Sequence, residues 1–249
     1  NDYDAGDDEN GVTLPMFIRN KPENLVIPVM NMTNKTAKLV GYFDWSGNGI
    51  FENSAMYVAT VNHNDPSATL SNVTPPSNAV LNRPIGIRFR ISTDLDFATN
   101  MSPDGPLPDG EVEDYVATVM AFDFGDLNDL LANTSGNPAT PTVPADHRTL
   151  AADNGASHKL TTDVTGKTIT LKIGNRVDDE LDGQPSVDAG KTTGGDNNNS
   201  IPPGGINDED GMDANNPPLF IITQTTTLTI PVMNMTDEDA KLTVYIDFN

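Results

Sequence analysis

Residues 85–92, Ile-Gly-Ile-Arg-Phe-Arg-Ile-Ser, alternate without a break, with Ile85, Ile87, Phe89 and Ile91 on one side and Gly86, Arg88, Arg90 and Ser92 on the other. A period of two with one apolar side marks a β-strand that covers a core with one face and meets a polar environment with the other. Leu25, Ile27 and Val29 form a second such face, and Pro28, which lacks an amide hydrogen, places that strand at a sheet edge or on a bulge. Leu39, Gly41 and Phe43 form a third face, and Tyr115, Ala117 and Val119 a last one after the acidic run from Glu111 to Asp114. At least five strands between Val12 and Ala121, without a convincing helix, predict an all-β fold, an antiparallel β-sandwich of immunoglobulin-like or jelly-roll-like type. Arg88 and Arg90 share the polar face, where Glu111 and Glu113 of a neighbouring strand are expected to pair with them.

Composition narrows what such a fold can do. Hydrophobic residues make up 36% and aromatics 6% of 249 residues, so the core is small for the length and burial alone is marginal. There are no cysteines, so no disulfide framework substitutes for it. With 36 acids against 14 bases the net charge is −22, which repels nucleic acid and anionic membranes and favours cations as partners. A merely solvating acidic surface is the plainer reading of that charge. No hydrophobic span is present, and no G-x-S-x-G elbow, H-E-x-x-H pair, phosphate-cradling loop or cysteine nucleophile occurs, so no enzymatic activity is expected. His63, His147 and His158 are scattered without the spacing of a zinc site.

The chain also repeats itself. Residues 27–46, IPVMNMTNKTAKLVGYFDWS, return at 230–249 as IPVMNMTDEDAKLTVYIDFN, matching at 12 of 20 positions with an offset of 203. Upstream, Asp8 to Val12 return as Asp208 to Met212 at offset 200, which puts a three-residue insertion in the intervening loop of the second copy. A period of this kind means stacked or strung modules. The expected organisation is a β-sandwich over 8–121, an irregular acidic Gly/Asn/Asp-rich connector over 122–211 with few strands, and the start of a second repeat over 212–249, neither end of the chain reading as a natural boundary. Within the connector a modest strand is expected at Thr168 to Ile173 and a helical turn at Asp126 to Ala132. Two apolar faces of the second copy, Leu228, Ile230 and Val232 with Leu242, Val244 and Ile246, imply contact with neighbouring repeats or copies of the same chain.

Two sets of residues point to a hard cation. Asp44-Trp45-Ser46-Gly47-Asn48-Gly49-Ile50-Phe51-Glu52 places side-chain oxygens at positions 1, 3, 5 and 9 with glycine at 6, and the Ile50 carbonyl stands at position 7. Calcium loops need this pattern, because alternate side chains turn inward and the shell takes six to eight oxygens. Position 12 is Ala55 rather than a glutamate, so Glu111, Glu113 and Asp114 are the expected donors that complete the shell. An Asn-Gly hairpin turn is the plainer reading of the same stretch. The second set is Asp178, Asp179 and Asp182 with Asp208 and Asp210, clustered at the turn-forming Gly183 and Gly211.

GEVEDY at 110–115, with RFRIS at 88–92 and DWSGNGIFE at 44–52, resembles the GEVED domain, a β-rich module of very large secreted bacterial proteins. The resemblance covers about residues 8–121 and, truncated, 208–249. FDFGD at 122–126, LAADNGASH at 150–158, VDDELDGQPS at 177–186 and INDEDGM at 206–212 look like the connector found between such domains. Ser46 and Asn48 stand where the family often has Asn and Asp, which weakens this ion loop. The resemblance implies a repeat in a cell-surface or extracellular adhesin-like protein without catalytic activity; together with the acidic loops and the tandem repeat, the expectation is a structural module of a cell-surface adhesin or extracellular filament with structural Ca2+ as its ion. The alternative is a carbohydrate-binding module of a secreted enzyme, with surface glycans as partners.

Overall fold

The computed structural model describes residues 11–127, 147–185, 208, 210–212 and 218–246. The expected helical turn at 126–132, the acidic start at Asp8 and the recurrence of the ion loop at Asp247 and Asn249 lie wholly or partly outside them. The chain forms two units, which meet in sequence at Met120 and Ala121.

The first unit is an antiparallel sandwich. Its strands are β1 (Phe17–Ile18), β2 (Glu23–Pro28), β3 (Ala37–Phe43), β4 (Met56–Val61), β5 (Ser67–Val73), β6 (Pro84–Ser92) and β7 (Glu111–Met120). Five of them make a sheet in the order β1-β7-β6-β3-β4, while β2 and β5 pair with each other. Among the described residues of this unit only the β1–β7 pair is parallel. Leu25, Ile27 and Leu70 of the two-stranded sheet and Leu39, Phe43, Ile87 and Phe89 of the larger one are buried, as the alternation predicts. Each such side chain, fully buried, stabilises the fold by about 1.5–3 kcal/mol. Phe43 stacks on Trp45 with ring centroids 4.7 Å apart, and Phe17 meets both edge-on. Pro28 sits where its missing donor predicts, in a strand that among the described residues pairs with β5 alone.

The other face of the large sheet is not the solvated surface that its arginines imply. Between β6 and β7 the chain forms a short helix, α1 (Leu95–Asn100), that sequence periodicity is too brief to reveal. Asp94 caps it by accepting the Phe97 amide at 2.8 Å, and Met101 ends it in the left-handed region at φ 48°. Phe97 packs with Val40 and Tyr42 into a second cluster, covered by Phe51, Met56, Met101 and Leu107. Arg90 is buried there, its guanidinium donating to the carbonyls of Ser102, Asp104 and Gly105 at 2.7, 3.1 and 2.6 Å.

The arginine pairing expected from sequence is wrong by one residue. The β6–β7 register sets Arg88 opposite Asp114 and Arg90 opposite Val112, leaving Glu111 and Glu113 on the core-facing parity with Ile91 and Phe89. A slip of one position exchanges faces, and an acidic run offers no apolar marker to fix it. Arg88 accordingly binds Asp114 through two hydrogen bonds of 2.8 Å.

In the second unit β8 (Phe122–Phe124) pairs with β9 (Ser157–Lys159), and β10 (Leu171–Ile173) with β11 (Val232–Asn234), both antiparallel. The strand expected from Thr168 thus begins at Leu171, and β11 joins the 212–249 segment to the connector. Among the described residues of this unit the buried apolar side chains are Ala121 and Leu160, against Asp126, Thr149, Thr170 and Glu180 as buried polar ones. Its order rests largely on hydrogen bonds: Leu160 N–H to the Ala121 carbonyl at 3.0 Å, Gln184 N–H to Asp126 at 3.2 Å, and Thr149 Oγ1 to the Leu127 carbonyl at 2.5 Å. No helix among the described residues is long and apolar enough to cross a membrane.

Candidate metal centre

The loop at 44–52 leaves the sheet where Asp44 N–H donates to the Gly86 carbonyl at 2.9 Å. Buried Asp44 accepts the amides of Asn48 at 3.1 Å and Gly49 at 2.7 Å, which bends the chain into a turn. Ser46 Oγ donates to Asp44 at 3.2 Å and to Glu52 at 3.1 Å, and Asn48 Oδ1 accepts the Ile50 amide at 2.8 Å. Asp44, Ser46, Asn48 and Glu52 are therefore gathered, while the Ile50 side chain is exposed. Glu111, Glu113 and Asp114 are not brought to them. Glu111 lies opposite Ile91, which at about 3.3 Å per residue is roughly 16 Å along β6 from Gly86. Glu113 accepts the Tyr115 hydroxyl at 2.6 Å, and Asp114 is taken by Arg88. The buried side-chain polar atom of this loop that has no hydrogen-bond partner is Trp45 Nε1, a donor lying among aromatic rings.

A second and more highly charged grouping lies in the other unit. Carboxylate oxygens of Asp123, Glu180 and Asp208 all come within 4.8 Å of one another. β8 carries Asp123 between Phe122 and Phe124, and Glu180 is laid against the same strand by two backbone contacts. Its amide donates to the Phe122 carbonyl at 2.9 Å, and its Oε2 accepts the Phe124 amide at 2.9 Å. Asp178 follows at the alternate position, its amide donating to Asp208 at 3.3 Å. Asp178 Oδ1 is buried and has no hydrogen-bond partner.

The grouping concentrates negative charge in a partly dehydrated place. Burial, reinforced by the charges of Asp178 and Asp126, pushes the Asp123 carboxyl up to about 6. Burial pushes Glu180, which is only 8% exposed, far above the carboxylate range; the Phe124 amide opposes this, and the charges of Asp123, Asp178 and Asp208 add to it. The charges that act most strongly on both groups are those of neighbouring carboxylates. Close, dehydrated carboxylates with one orphaned oxygen form the all-oxygen donor set that hard divalent cations take, and they offer zinc none of the nitrogen or sulfur it prefers.

Asp178 and Asp208 are thus brought together, and the other connector acids are used differently. Asp182 accepts the amides of Ala151 at 2.6 Å and Gly183 at 2.9 Å. Asp210 accepts those of Asn175 at 2.8 Å and Arg176 at 3.5 Å. Asp179 is half-buried and outside the grouping. Asp123 and Glu180 were not foreseen: the first is hidden in an aromatic strand far from the other acids in sequence. Glu180 stands at alternate spacing from Asp178, the same-face signal that could have revealed it.

These shifts set a pH dependence with a definite sign. A carboxyl whose folded value is raised contributes stability that is complete below its unfolded value near 4 and disappears as pH rises through the folded one. The chelated second unit is therefore expected to unfold at a higher temperature at pH 5 than at pH 8, the share of Asp123 being lost between about pH 4 and 6 and that of Glu180 continuing to fall above it. Asp163, held down to about 2 by its hydrogen bonds to Thr165 and Thr168, acts in the opposite direction but only below pH 4, outside this window. Circular dichroism melts in chelator across pH 5–8 measure it; a flat profile would show the carboxylates to be neither close nor dehydrated.

The family model of the GEVED domain matches residues 38–118. This span runs from β3 to two residues short of the end of β7 and holds the 44–52 loop and the helix-covered sheet face, leaving β1, β2 and the second unit outside. No curated protein matches the chain.

Proposed function

We propose that this GEVED-domain chain is a structural repeat module of a cell-surface adhesin or extracellular filament, whose acidic connector is stiffened by calcium. The observation that carries the reading is the grouping of Asp123, Asp178, Glu180 and Asp208 in a unit whose described buried side chains are mostly polar. An ion held by these four acids supplies positive charge where carboxylates otherwise repel, and because an unfolded chain cannot present the same set, ion affinity becomes folding free energy. Repetition supports a role in covering distance, and the connector begins where the sandwich ends. Extracellular calcium modules bind at about 10⁻⁴ to 10⁻³ M, so occupancy follows from an extracellular location and not from a cytosolic one. The glycan-binding alternative needs an exposed aromatic platform, and Trp45 is buried between Phe17 and Phe43.

Thermal unfolding with calcium and with chelator tests the proposal. Ten-fold excess over the dissociation constant stabilises by about 1.4 kcal/mol, which for a unit of this size raises the midpoint by roughly 5 °C. An unchanged midpoint for the second unit overturns the calcium mechanism.

A further inference from the structure

β10 shows how the segment Ile-Pro-Val-Met-Asn-Met-Thr is read by another strand. In the β10–β11 pair Leu171, Lys172 and Ile173 face Asn234, Met233 and Val232. Gly174 N–H donates to the Pro231 carbonyl at 2.9 Å, and Met235 N–H to the Thr170 carbonyl at 2.7 Å. Residues 231, 233 and 235 thus turn their backbone groups toward β10. The same seven residues occupy 27–33. There Val29 N–H donates to the Pro66 carbonyl at 3.2 Å on the β5 side, so Pro28, Met30 and Met32 turn theirs to the opposite edge of β2, which no strand among the described residues occupies. Met30 is 82% and Met32 69% exposed. The turn that follows is alike in both places. Asn31 accepts from the Thr33 amide at 3.0 Å and hydroxyl at 2.7 Å and donates to the Lys35 carbonyl at 2.9 Å, and Asn234 does so with Thr236 and Glu238 at 3.0, 2.6 and 2.9 Å.

We infer that the edge Pro28–Met32 is a docking site for β10 of a second copy of this chain, in the register that β11 uses. Lys172 then lies against Met30, Ile173 against Val29 and Leu171 against Asn31, with the Gly174 amide on the Pro28 carbonyl and the Met32 amide on the Thr170 carbonyl. Directly opposed residues share a face, so Ile173 falls with Val29 on the side of Leu25 and Ile27. That side opens on a groove of about 380 Å³ walled by Ile27, Leu39, Phe89 and Ile91 together with Glu111 and Glu113. In the chain's own β10–β11 pair Ile173 stays 50% exposed. Exchange of the whole 230–246 segment into another copy is the competing occupant, and it fits badly. Val244 stands at the place of Gly41, where an added Cβ meets Leu70 Cδ1 at 2.6 Å and Phe89 Cε1 at 3.0 Å. The contact is head-to-tail, so it propagates as a line of modules and does not close as a pair.

The inference rests on the modular reading above but not on the ion, and the test separates them. Met233→Pro removes the amide paired with Lys172 and frees β10. Sedimentation velocity is expected to show at least ten-fold stronger self-association than in the unaltered chain, in calcium and in chelator alike. A chain ending at Met212, which lacks β11 altogether, should behave in the same way and guards against local damage by the proline. Adding Met30→Pro, at an amide that faces away from β5, should return both to monomers. The docking site is overturned if both β10-freed chains stay monomeric, or if Met30→Pro leaves their assemblies intact. Assembly sensitive to Met30→Pro without any calcium shift of the melting midpoint upholds the joint and removes the ion; calcium stabilisation without assembly does the reverse.

Discussion

Replacing Glu180 by glutamine is expected to stabilise the chelated second unit at pH 8 while removing most of its response to calcium. At that pH the folded unit holds the Glu180 carboxyl beside Asp123, Asp178 and Asp208, with burial as the largest force against its ionisation. The unfolded chain exposes it as an ordinary hydrated carboxylate. Glutamine keeps an oxygen for the Phe124 amide and carries no charge in either state, so the difference is recovered on folding. An uncompensated buried charge costs several kcal/mol, and a gain on the order of 2–4 kcal/mol is expected, shrinking toward pH 5 where the carboxyl is protonated more cheaply. The same substitution withdraws one anionic donor, so the calcium concentration that half-saturates the midpoint shift should rise at least about ten-fold. Asp182→Ala is the control. Asp182 serves the amides of Ala151 and Gly183, so its loss should lower stability with and without calcium and leave the calcium response in place. Melts of the three chains in chelator and in calcium decide it, and a destabilised, still calcium-responsive Glu180→Gln chain would remove Glu180 from the site.

The second large effect is expected in the first unit, where Gly110→Ala should cost more than about 3 kcal/mol, a large part of the total stability of an ordinary domain. Gly110 has φ 95°, and a Cβ on it would stand 1.7 Å from the Ile91 carbonyl oxygen and 2.8 Å from its carbon. That obstacle is backbone in the neighbouring strand, so no rotamer change relieves it. The strand entry must move, and with it the Ile91–Glu111 end of the β6–β7 ladder. Glu111→Gln next door changes an exposed side chain and should stay within about 0.5 kcal/mol. The chain has one tryptophan, and Trp45 lies in the core of this unit, so its fluorescence in urea follows the first unit alone. Equal effects of the two substitutions would mean that the run at 110–115 is held by its acids and not by its glycine.

The sandwich was readable from sequence because its core obeys a simple alternation. Ile85, Ile87 and Phe89 turn inward together, and a strand with one apolar side admits a single placement. Arg90 illustrates where that logic stops. A charged residue on the polar parity reads as solvated, and only the fold back of the chain after α1 brings in the carbonyls of Ser102, Asp104 and Gly105, twelve or more positions away, that bury it. The acidic runs failed for a related reason. Glu111, Glu113 and Asp114 carry no apolar marker, so their faces are set by β6 alone. In the connector, adjacency to glycine singled out Asp178 and Asp208 together with three acids that hold backbone amides or stand apart. The grouping itself depends on Phe122 and Phe124 bringing β8 under Glu180, a long-range pairing that no local spacing encodes.

The parallel pairing of β1 with β7 has a mechanical consequence. Phe17 lies beside Val119 and Ile18 beside Met120, and Arg19 N–H continues the pairing onto the Met120 carbonyl at 2.8 Å. Traction on the first unit through its entering and leaving segments draws these two strands past each other along their length. The hydrogen bonds between them then bear the load together and break as a group, instead of peeling open one after another. A sandwich threaded in this way resists stretching at the seam where the polypeptide comes in and goes out, and its hydrophobic interior stays shut until that seam slides.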